Sequence, residues 1–238
     1  MKKILGRVRR AITDYNMIQD GDKIAVGLSG GKDSLTLLIA LARLKTFLPI
    51  KFDLMAITLA MGFEGFDTSP LEDVCKQYDI PYVVRDTYIG TIVFDIRNEK
   101  NPCSLCANLR RGALNNIAVE HGCNKVALGH HYNDTLETFF LSLLYEGRIN
   151  TFSPVTYLDR KKLYVIRPMV YVLEAEIKGF IKKNNLPIVH NPCPANCHTN
   201  RQYIKELLKT LSTHDPLIKN RVFGAIQSSL KDWKLNQN

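Results

Sequence analysis

The sequence predicts an α/β fold, a parallel sheet covered by helices on both faces and followed by a helical C-terminal extension. Short apolar runs alternate with helical patterns from Lys23 to Glu146, the order that parallel strands and crossover helices require. The 238 residues suit one large domain, and a hydrophobic content of 45% supplies a packed core and excludes a disordered chain. No apolar run approaches the roughly 20 residues of a membrane span, and we see no secretion signal.

Local patterns predict each element of the first part of the chain. Apolar residues at helical spacing indicate an N-terminal basic helix that contains Ile4, Val8 and Ile12. Ser69 is predicted to cap the third helix, with Pro70 at the first helical position and Glu72 as capping-box partner. The strands are predicted at Lys23–Leu28, Phe52–Leu59, Tyr82–Arg85 and Lys125–Leu128. The later helices are predicted at Ser34–Leu44, from Ser69 to about Tyr78, from Pro102 to Gly122 and from about Asp134 to Glu146.

The last third of the chain is predicted to be mainly helical. Val155–Leu158 and Leu163–Ile166 are interpreted as a hairpin or as two separate short strands. Residues 190–200 are polar and rich in turn-forming residues. Helices are predicted at Leu173–Asn184, Arg201–Leu211 and Pro216–Trp233.

The charge balance and the cysteine count narrow the class of protein. A formal net charge of +9 favours a polyanionic partner, although the basic face of the N-terminal helix is also typical of a solvated surface. Six cysteines are too few for a disulfide scaffold at this length. We therefore expect a reducing compartment, with the cysteines as free thiols, metal ligands or catalysts.

A glycine-rich turn with the sequence SGGKDS, from Ser29 to Ser34, joins the first strand to the next helix. Its glycines let the backbone approach a ligand closely. The free N–H groups of the helix start and the Lys32 side chain favour an anion such as phosphate. The Walker spacing is absent, so this is not an ordinary P-loop.

A second polar segment, from Leu128 to Asp134, follows the fourth strand. Ligands of parallel sheets bind beyond the carboxyl ends of the strands, where both segments are predicted to lie. Asp134 has two interpretations, as the N-cap of a capping box with Glu137 and as a ligand of nucleotide or Mg²⁺. Of His130 and His131, one is a candidate for packing alone.

Cys103 and Cys106 form a C-x-x-C pair at the start of a helix, which suits a soft metal or a redox pair. A thioredoxin-type dithiol fits poorly because the flanking sequence differs and two arginines follow. A zinc site requires about four ligands, and the polar loop offers Cys193, Cys197 and His198. Cys75 and Cys123 are expected to be buried thiols without a ligand role.

Several segments together resemble one family. SGGKDS resembles the PP-loop of the N-type ATP pyrophosphatases, which split ATP between the α and β phosphates. The remaining segments extend the resemblance to the tRNA 2-thiocytidine synthetase (TtcA) family and the related tRNA 2-thiouridine synthetase (TtuA) group: NPCSLCANLRRGAL, ALGHHYNDTLETFFLSLLYEGR, VIRPMVYVLEAEIKGFI and CPANCHTNR. It covers about residues 20 to 205. The thiouridine group carries an additional N-terminal cysteine-rich module, and its absence here favours the thiocytidine branch.

The resemblance implies a Rossmann-like fold of the adenine nucleotide alpha hydrolase type and assigns roles by position. Lys32, Asp33 and Asp134 are implied to be catalytic, with Asp33 also placing Mg²⁺. Cys103, Cys106 and Cys193 are implied to hold a [4Fe–4S] cluster, and Cys197 is the candidate for a fourth ligand. The implied ATP-binding residues are Leu28, Ser29, Gly30, Gly31, Lys32, Asp33, Ser34, Gly129 and His130. Arg7, Arg10, Arg110 and Arg111 are candidates for contacts with tRNA phosphates.

The implied activity is that of an ATP- and [4Fe–4S]-dependent tRNA sulfurtransferase. It would adenylate C2 of a pyrimidine, expected to be cytidine, and replace the oxygen by sulfur, with release of AMP and pyrophosphate. We expect tRNA and a sulfur donor, such as a cysteine desulfurase or free sulfide, as partners, and a cytoplasmic homodimer. Two alternatives are another PP-loop tRNA-adenylating enzyme and a non-enzymatic ATP-binding iron–sulfur redox sensor.

The sequence also predicts how the chain is divided. The basic helix is assigned to residues 1–22, the PP-loop domain with the iron–sulfur site to residues 23–200, and the C-terminal basic helices to residues 201–238.

Overall fold

The computed structural model describes residues 1–63, 65–97, 102–189, 192–193 and 200–235. Strands and helices alternate along the chain as predicted. The strands are β1 (Asp22–Gly27), β2 (Phe52–Ala60), β3 (Tyr82–Asp86), β4 (Lys125–Ala127), β5 (Val155–Leu158) and β6 (Leu163–Ile166). The helices are α1 (Lys2–Asp14), α2 (Lys32–Lys45), α3 (Ser69–Gln77), α4 (Ile89–Thr91), α5 (Pro102–Glu120), α6 (Tyr132–Tyr145), α7 (Glu174–Lys183), α8 (Asn200–His214) and α9 (Ile218–Ser229).

The strands form one sheet in the order β3-β2-β1-β4-β6-β5. The pairs β3–β2, β2–β1, β1–β4 and β4–β6 are parallel, and only the edge strand β5 runs antiparallel to its neighbour. The predicted fold class is therefore confirmed, and β5 and β6 form the hairpin that was one of the two interpretations. Because β1, β2 and β4 run in the same direction, the segments that follow them lie at one edge of the sheet.

Alternate side chains of β1 pack on opposite faces of the sheet, as the pleat of a strand requires. Ile24 and Val26 belong to the larger hydrophobic cluster with α1, α2 and α7. Ala25 belongs to the smaller cluster that Leu114 and Ile117 of α5 cover. The strand is thus buried on both faces, which explains its continuous apolar sequence.

The C-terminal helices α8 and α9 pack into the same core as α1. Ile204, Phe223 and Trp233 are buried in the larger cluster. The Trp233 indole N–H donates to the Phe152 carbonyl at 3.0 Å, and its ring meets Tyr15 edge-on at 6.0 Å. None of the described helices combines the length and the hydrophobicity that a membrane-spanning segment requires.

Two local features differ from the prediction. The segment Ile89–Ile96 forms a short helix that continues into a π-helical turn, and no local pattern had predicted it. The proposed Ser69 cap is wrong, because Ser69 is itself the first residue of α3 and donates its N–H to Asp67 Oδ1 at 2.9 Å. Asp67 lies two residues earlier, so its carboxylate takes the acceptor role that was assigned to the Ser69 hydroxyl.

Candidate active site

The glycine-rich turn connects β1 to α2 at the carboxyl edge of the sheet. Gly30 has a φ of +81°, and a Cβ atom there would lie 2.8 Å from the Val189 carbonyl oxygen. The Val189 N–H donates to the Gly30 carbonyl at 3.0 Å. Gly31 is the N-cap of α2 and has no side chain to satisfy the first N–H groups of the helix. The turn is therefore fixed in place, and its amides are positioned for an anion.

Lys32 lies between two carboxylates at the start of α2. Its Nζ is 2.8 Å from Asp33 Oδ2 and 3.3 Å from Glu174 Oε1 at the start of α7. Burial lowers the pKa of Lys32, but the hydrogen bonds and charges of Asp33 and Glu174 outweigh burial and raise the pKa above its ordinary value. Lys32 thus stays positively charged, and a bound phosphate would compete with these carboxylates for its ammonium group.

The second polar segment contacts the glycine-rich turn through its backbone. A Cβ atom on Gly129 would lie 3.0 Å from both the Asp33 carbonyl carbon and the Ser34 amide nitrogen. His131 Nε2 lies 3.6 Å from Asp33 Oδ1. The two predicted nucleotide-binding segments therefore form one continuous site.

The capping prediction for α6 was wrong in position. His131, not Asp134, is the N-cap, and the helix begins at Tyr132. The Asp134 N–H donates to His131 Nδ1 at 3.3 Å, and the His131 N–H donates to Asp134 Oδ2 at 2.9 Å. The other ring nitrogen of His131, Nε2, lies on the side of Asp33. His131 therefore orders the helix start and links Asp134 to Asp33.

His130 occupies an apolar and cationic environment beside this cap. Its ring stacks on Phe152 with centroids 4.8 Å apart. Burial, together with the positive charge of Arg167, lowers the pKa of His130 to about 4. His130 is consequently neutral at physiological pH, and it lines the same cavity as Asp134.

Two cavities flank the glycine-rich turn. The first has a volume of about 340 Å³. Its lining combines apolar side chains with residues of both nucleotide-binding segments, namely Ser29, Asp33, Ser34, Gly129, His130 and Asp134. The second has a volume of about 570 Å³ and lies on the cysteine side. The two cavities share four lining residues: Ser29, Asp33, Ala107 and Arg110.

Three of the predicted cluster ligands line the second cavity together with Lys32 and Asp33. Cys103 and Cys193 are exposed free thiols, and Cys106 is partly buried. Burial raises the pKa of the Cys106 thiol, and the positive charge of Arg110 opposes that rise.

The remaining cysteines differ from these three. Cys75 and Cys123 are buried in the core, as predicted, and burial raises the pKa of Cys75 to about 12. Cys197 lies outside the described residues. Among the residues that the structure describes, no group of three or more His, Cys, Asp or Glu side chains is spaced to hold a single metal ion.

The four predicted tRNA-binding arginines fall into two pairs. Arg110 and Arg111 line the first cavity. Arg7 donates to Glu176 Oε1 at 3.2 Å and to the Tyr171 carbonyl at 2.9 Å, and Arg10 donates to Asp14 at 3.2 Å. The structure thus brings Arg110 and Arg111 to the site, whereas Arg7 and Arg10 line neither of the two cavities.

Comparison with known proteins identifies the family of this chain. A family model of the PP-loop domain matches residues 3–211. The tRNA-cytidine(32) 2-sulfurtransferase of Geobacter metallireducens is 40% identical over 232 residues, which cover 94% of this chain and 89% of the relative. This chain belongs to the PP-loop tRNA sulfurtransferase family. The protein of the same name from Syntrophotalea carbinolica is 38% identical, with 98% of this chain and 93% of the relative covered.

A solved structure of the family has the same fold. The U34-tRNA thiolase NcsA from Methanococcus maripaludis, solved with its [4Fe–4S] cluster, matches 97% of this chain and 79% of its own with a TM-score of 0.77 at 26% identity. The predicted family and the enzyme class are confirmed by these relatives.

The cysteines of the second cavity fit the group that the family resemblance implies. A [4Fe–4S] cluster is held by cysteine thiolates, and Cys103, Cys106 and Cys193 line this cavity together. Three cysteines would leave one iron without a protein ligand.

Sequence reasoning missed several residues of the site. Glu174 pairs with Lys32, Arg201 reaches both Asp134 and Glu137, and Asn115 lines the first cavity. Arg201 ends the segment CPANCHTNR, and Glu174 lies in VIRPMVYVLEAEIKGFI. Both segments carried the family resemblance, but neither residue was assigned a role. Glu174 is distant in sequence from Lys32, so no local pattern indicated their contact.

Proposed function

We propose that this protein is an ATP- and [4Fe–4S]-dependent sulfurtransferase that converts a cytidine of tRNA into 2-thiocytidine, at position 32 as in the named relatives. The observation that carries this proposal is that Ser29, Asp33 and Arg110 line both cavities, and we call this shared lining the junction. A nucleotide bound on the glycine-rich turn would direct its α-phosphate toward the cavity that the three cysteines line. Activation and sulfur transfer then take place on the same base without its release.

The first step is adenylation. The C2 oxygen of the base attacks the α-phosphorus of ATP, and the bond to the bridging oxygen breaks, so that pyrophosphate leaves. Lys32 and the N–H groups at the start of α2 stabilise the charge that develops on the phosphates. The Asp33 and Asp134 carboxylates are placed to orient Mg²⁺, which screens the phosphate charge when it is bound.

The second step replaces oxygen by sulfur. Sulfide adds to C2, the C2–O bond breaks, and AMP leaves with the former base oxygen while the sulfur loses its proton. This exchange changes no oxidation state when the donor is sulfide. When bound by Cys103, Cys106 and Cys193, the cluster supplies an iron coordination position that can hold a sulfide. The chain's own contribution is to hold the activated base against the cysteine side of the junction.

The partner proposals follow from this chemistry. The target base must leave its stack to reach the junction, so a loop nucleotide of tRNA is the proposed substrate. Arg110 and Arg111 lie at the first cavity and are proposed to contact tRNA phosphates near the target base. A cysteine desulfurase or free sulfide supplies the sulfur, and we propose a homodimer as the active form.

The decisive experiment combines reconstitution with nucleoside analysis. Protein purified without oxygen is assayed for iron and sulfide, then incubated with unmodified tRNA, MgATP and sulfide. We expect about four irons per chain, 2-thiocytidine in the digested tRNA, and AMP and pyrophosphate only when tRNA is present. A loaded cluster with ATP binding but without thiolated nucleoside would favour the redox sensor, and adenylation that does not depend on the cluster would favour another PP-loop enzyme.

A further inference from the structure

Asn115 is a buried polar side chain that neither of the proposed reaction steps uses. It lies in the fourth turn of α5, is only 4% exposed, and lines the first cavity. Its Oδ1 is buried and has no hydrogen-bond partner in the described part of the chain. A buried amide oxygen without a partner is costly, so a ligand that donates a hydrogen bond is expected there.

The surroundings of Asn115 suit a flat apolar ring with a polar edge. The apolar lining of the cavity consists of Leu28, Ile57, Leu59, Leu114 and Leu128. Ser29 and Ser34 of the glycine-rich turn, where the triphosphate is proposed to bind, line the same cavity. A nucleotide with its phosphates on the glycine-rich turn would therefore place its base among these leucines, where Asn115 is the only amide side chain among the described lining residues.

The spacing along α5 agrees with this orientation. An α-helix rises about 1.5 Å per residue, so Asn115 lies about 6 to 8 Å beyond Arg110 and Arg111, and about 14 Å beyond Cys106. Arg110 is at the junction of the cavities, where the α-phosphate is required. Along the axis of α5, the cysteines, the arginines and Asn115 therefore follow one another in the order of sulfur, phosphate and base.

We infer that Asn115 is a specificity residue that recognises the 6-amino group of the adenine base of ATP. The amino group donates to the side-chain oxygen, which gives Asn115 the partner that it lacks. The inference rests on the proposed ATP-dependent function and adds the residue that selects the base. Because a terminal amide can turn either of its atoms toward the cavity, guanine is a poor test, and the informative probe is a purine without a 6-substituent.

The test is a thermodynamic cycle between one side chain and one group of the nucleotide. Binding of MgATP and of purine riboside 5′-triphosphate is measured by calorimetry without tRNA, for the wild type and Asn115→Leu, with Asn115→Ser as a second variant. Asn116→Ala is the matched control, because Asn116 is the next residue of α5 and its side chain is exposed, where it accepts from Lys161. Thermal unfolding verifies that each variant is folded.

We expect the wild type and Asn116→Ala to bind ATP roughly tenfold more tightly than the purine analogue. Asn115→Leu and Asn115→Ser are expected to lose that preference through weaker ATP binding, with the affinity for the analogue nearly unchanged. Equal binding of the two nucleotides by the wild type, or a preference that survives in a folded Asn115 variant, would overturn the role of Asn115 alone. Failure of the wild type to bind either nucleotide would instead overturn the ATP-dependent function, and this inference with it.

Discussion

Arg201 Nη1 lies 3.0 Å from Glu137 Oε2, and this pair joins the first turn of α8 to the middle of α6. The Glu137 side chain is 3% exposed, and burial raises the pKa of its carboxyl despite the nearby charges of Lys205 and Arg201. Arg201 also lies 3.6 Å from Asp134. The first turn of α8 is therefore tied to the helix that carries Asp134.

We expect Arg201→Ala to destabilise the fold by about 1–2 kcal/mol, because it leaves the Glu137 carboxylate buried without its main partner. The arginine is 41% exposed, which keeps the loss below that of a fully buried pair. Urea unfolding measures it. Glu137→Gln should lower the free energy of unfolding by less than Arg201→Ala does. The loss in the double variant should be smaller than the sum of the two single losses. Arg221→Ala removes an exposed pair with Asp215 and serves as control; an equal loss there would contradict a special role for Arg201.

Cys103→Ala, Cys106→Ala and Cys193→Ala are each expected to abolish cluster assembly and thiolation, because each removes one thiolate from the shared cavity. Iron and sulfide content after anaerobic reconstitution is the measurement. Cys75→Ala and Cys123→Ala, which alter buried thiols outside the cavity, should retain the cluster. Stoichiometric zinc without iron in the wild type would exclude the cluster. Complete loss of iron and sulfide in Cys197→Ala would show that the cluster requires a fourth cysteine.

Lys32→Ala is expected to leave a folded, cluster-loaded protein that forms product about 10²- to 10³-fold more slowly, because the charge on the phosphates loses its cationic partner. Asp33→Ala should have a similar effect on the adenylation step. Single-turnover release of pyrophosphate in the presence of tRNA measures both. Lys45→Ala, at the other end of α2 and paired with Asp53, is the control. Product formation near the wild-type rate by both site variants would remove the glycine-rich turn from the mechanism.

Stability is expected to fall as the pH drops from about 6.5 toward 4. His130 has an ordinary pKa of 6.5 in the unfolded chain and about 4 in the fold. Between these values the unfolded state binds more protons, so the free energy of unfolding rises with pH and its contribution from His130 is complete above pH 6.5. This difference in the pKa of His130 corresponds to an upper limit of about 3 to 4 kcal/mol of unfolding free energy. His130→Phe keeps an aromatic ring beside Phe152 and should flatten the profile; an unchanged slope would assign the effect to other groups.

Arg110→Ala combined with Arg111→Ala is expected to weaken tRNA binding and to reduce the slope of log affinity against log salt, by about one unit or less for each lost phosphate contact. Because both arginines line the first cavity, weaker ATP binding is also expected. Filter binding across a salt series measures the slope. Arg7→Ala with Arg10→Ala, whose side chains pair with Glu176 and Asp14, is the comparison. A larger slope change in that variant would place the tRNA on α1.

The sheet and most helices were predictable because their signals are local. The buried run of β1, the turn-forming residues after it and the periodic apolar residues of α1 determine these elements within a few residues. The cysteine and glycine motifs were predictable for the same reason, and the structure places Cys103, Cys106 and Cys193 in one cavity.

Two helix caps were predicted incorrectly, at Ser69 and at Asp134. The local pattern allowed more than one cap at each start, and the hydrogen bonds of Asp67 and His131 determine the actual ones. The contacts between distant parts of the chain could not be predicted at all. Glu137 pairs with Arg201, 64 residues away, and Arg7 pairs with Glu176 of α7. Such pairs form only when the helices pack, so their partners cannot be identified from spacing alone.

The backbone contact between Gly129 and the Asp33–Ser34 peptide limits how related proteins can diverge. Where two segments meet through side chains, a change in one is readily compensated by a change in the other. Here peptide groups set the distance between the two segments. Substitutions elsewhere in the cavity lining do not change this distance, whereas any side chain at position 129 must push the segments apart. Paired substitutions are therefore not expected between these positions, and an alignment should show an isolated, invariant glycine without a covarying partner.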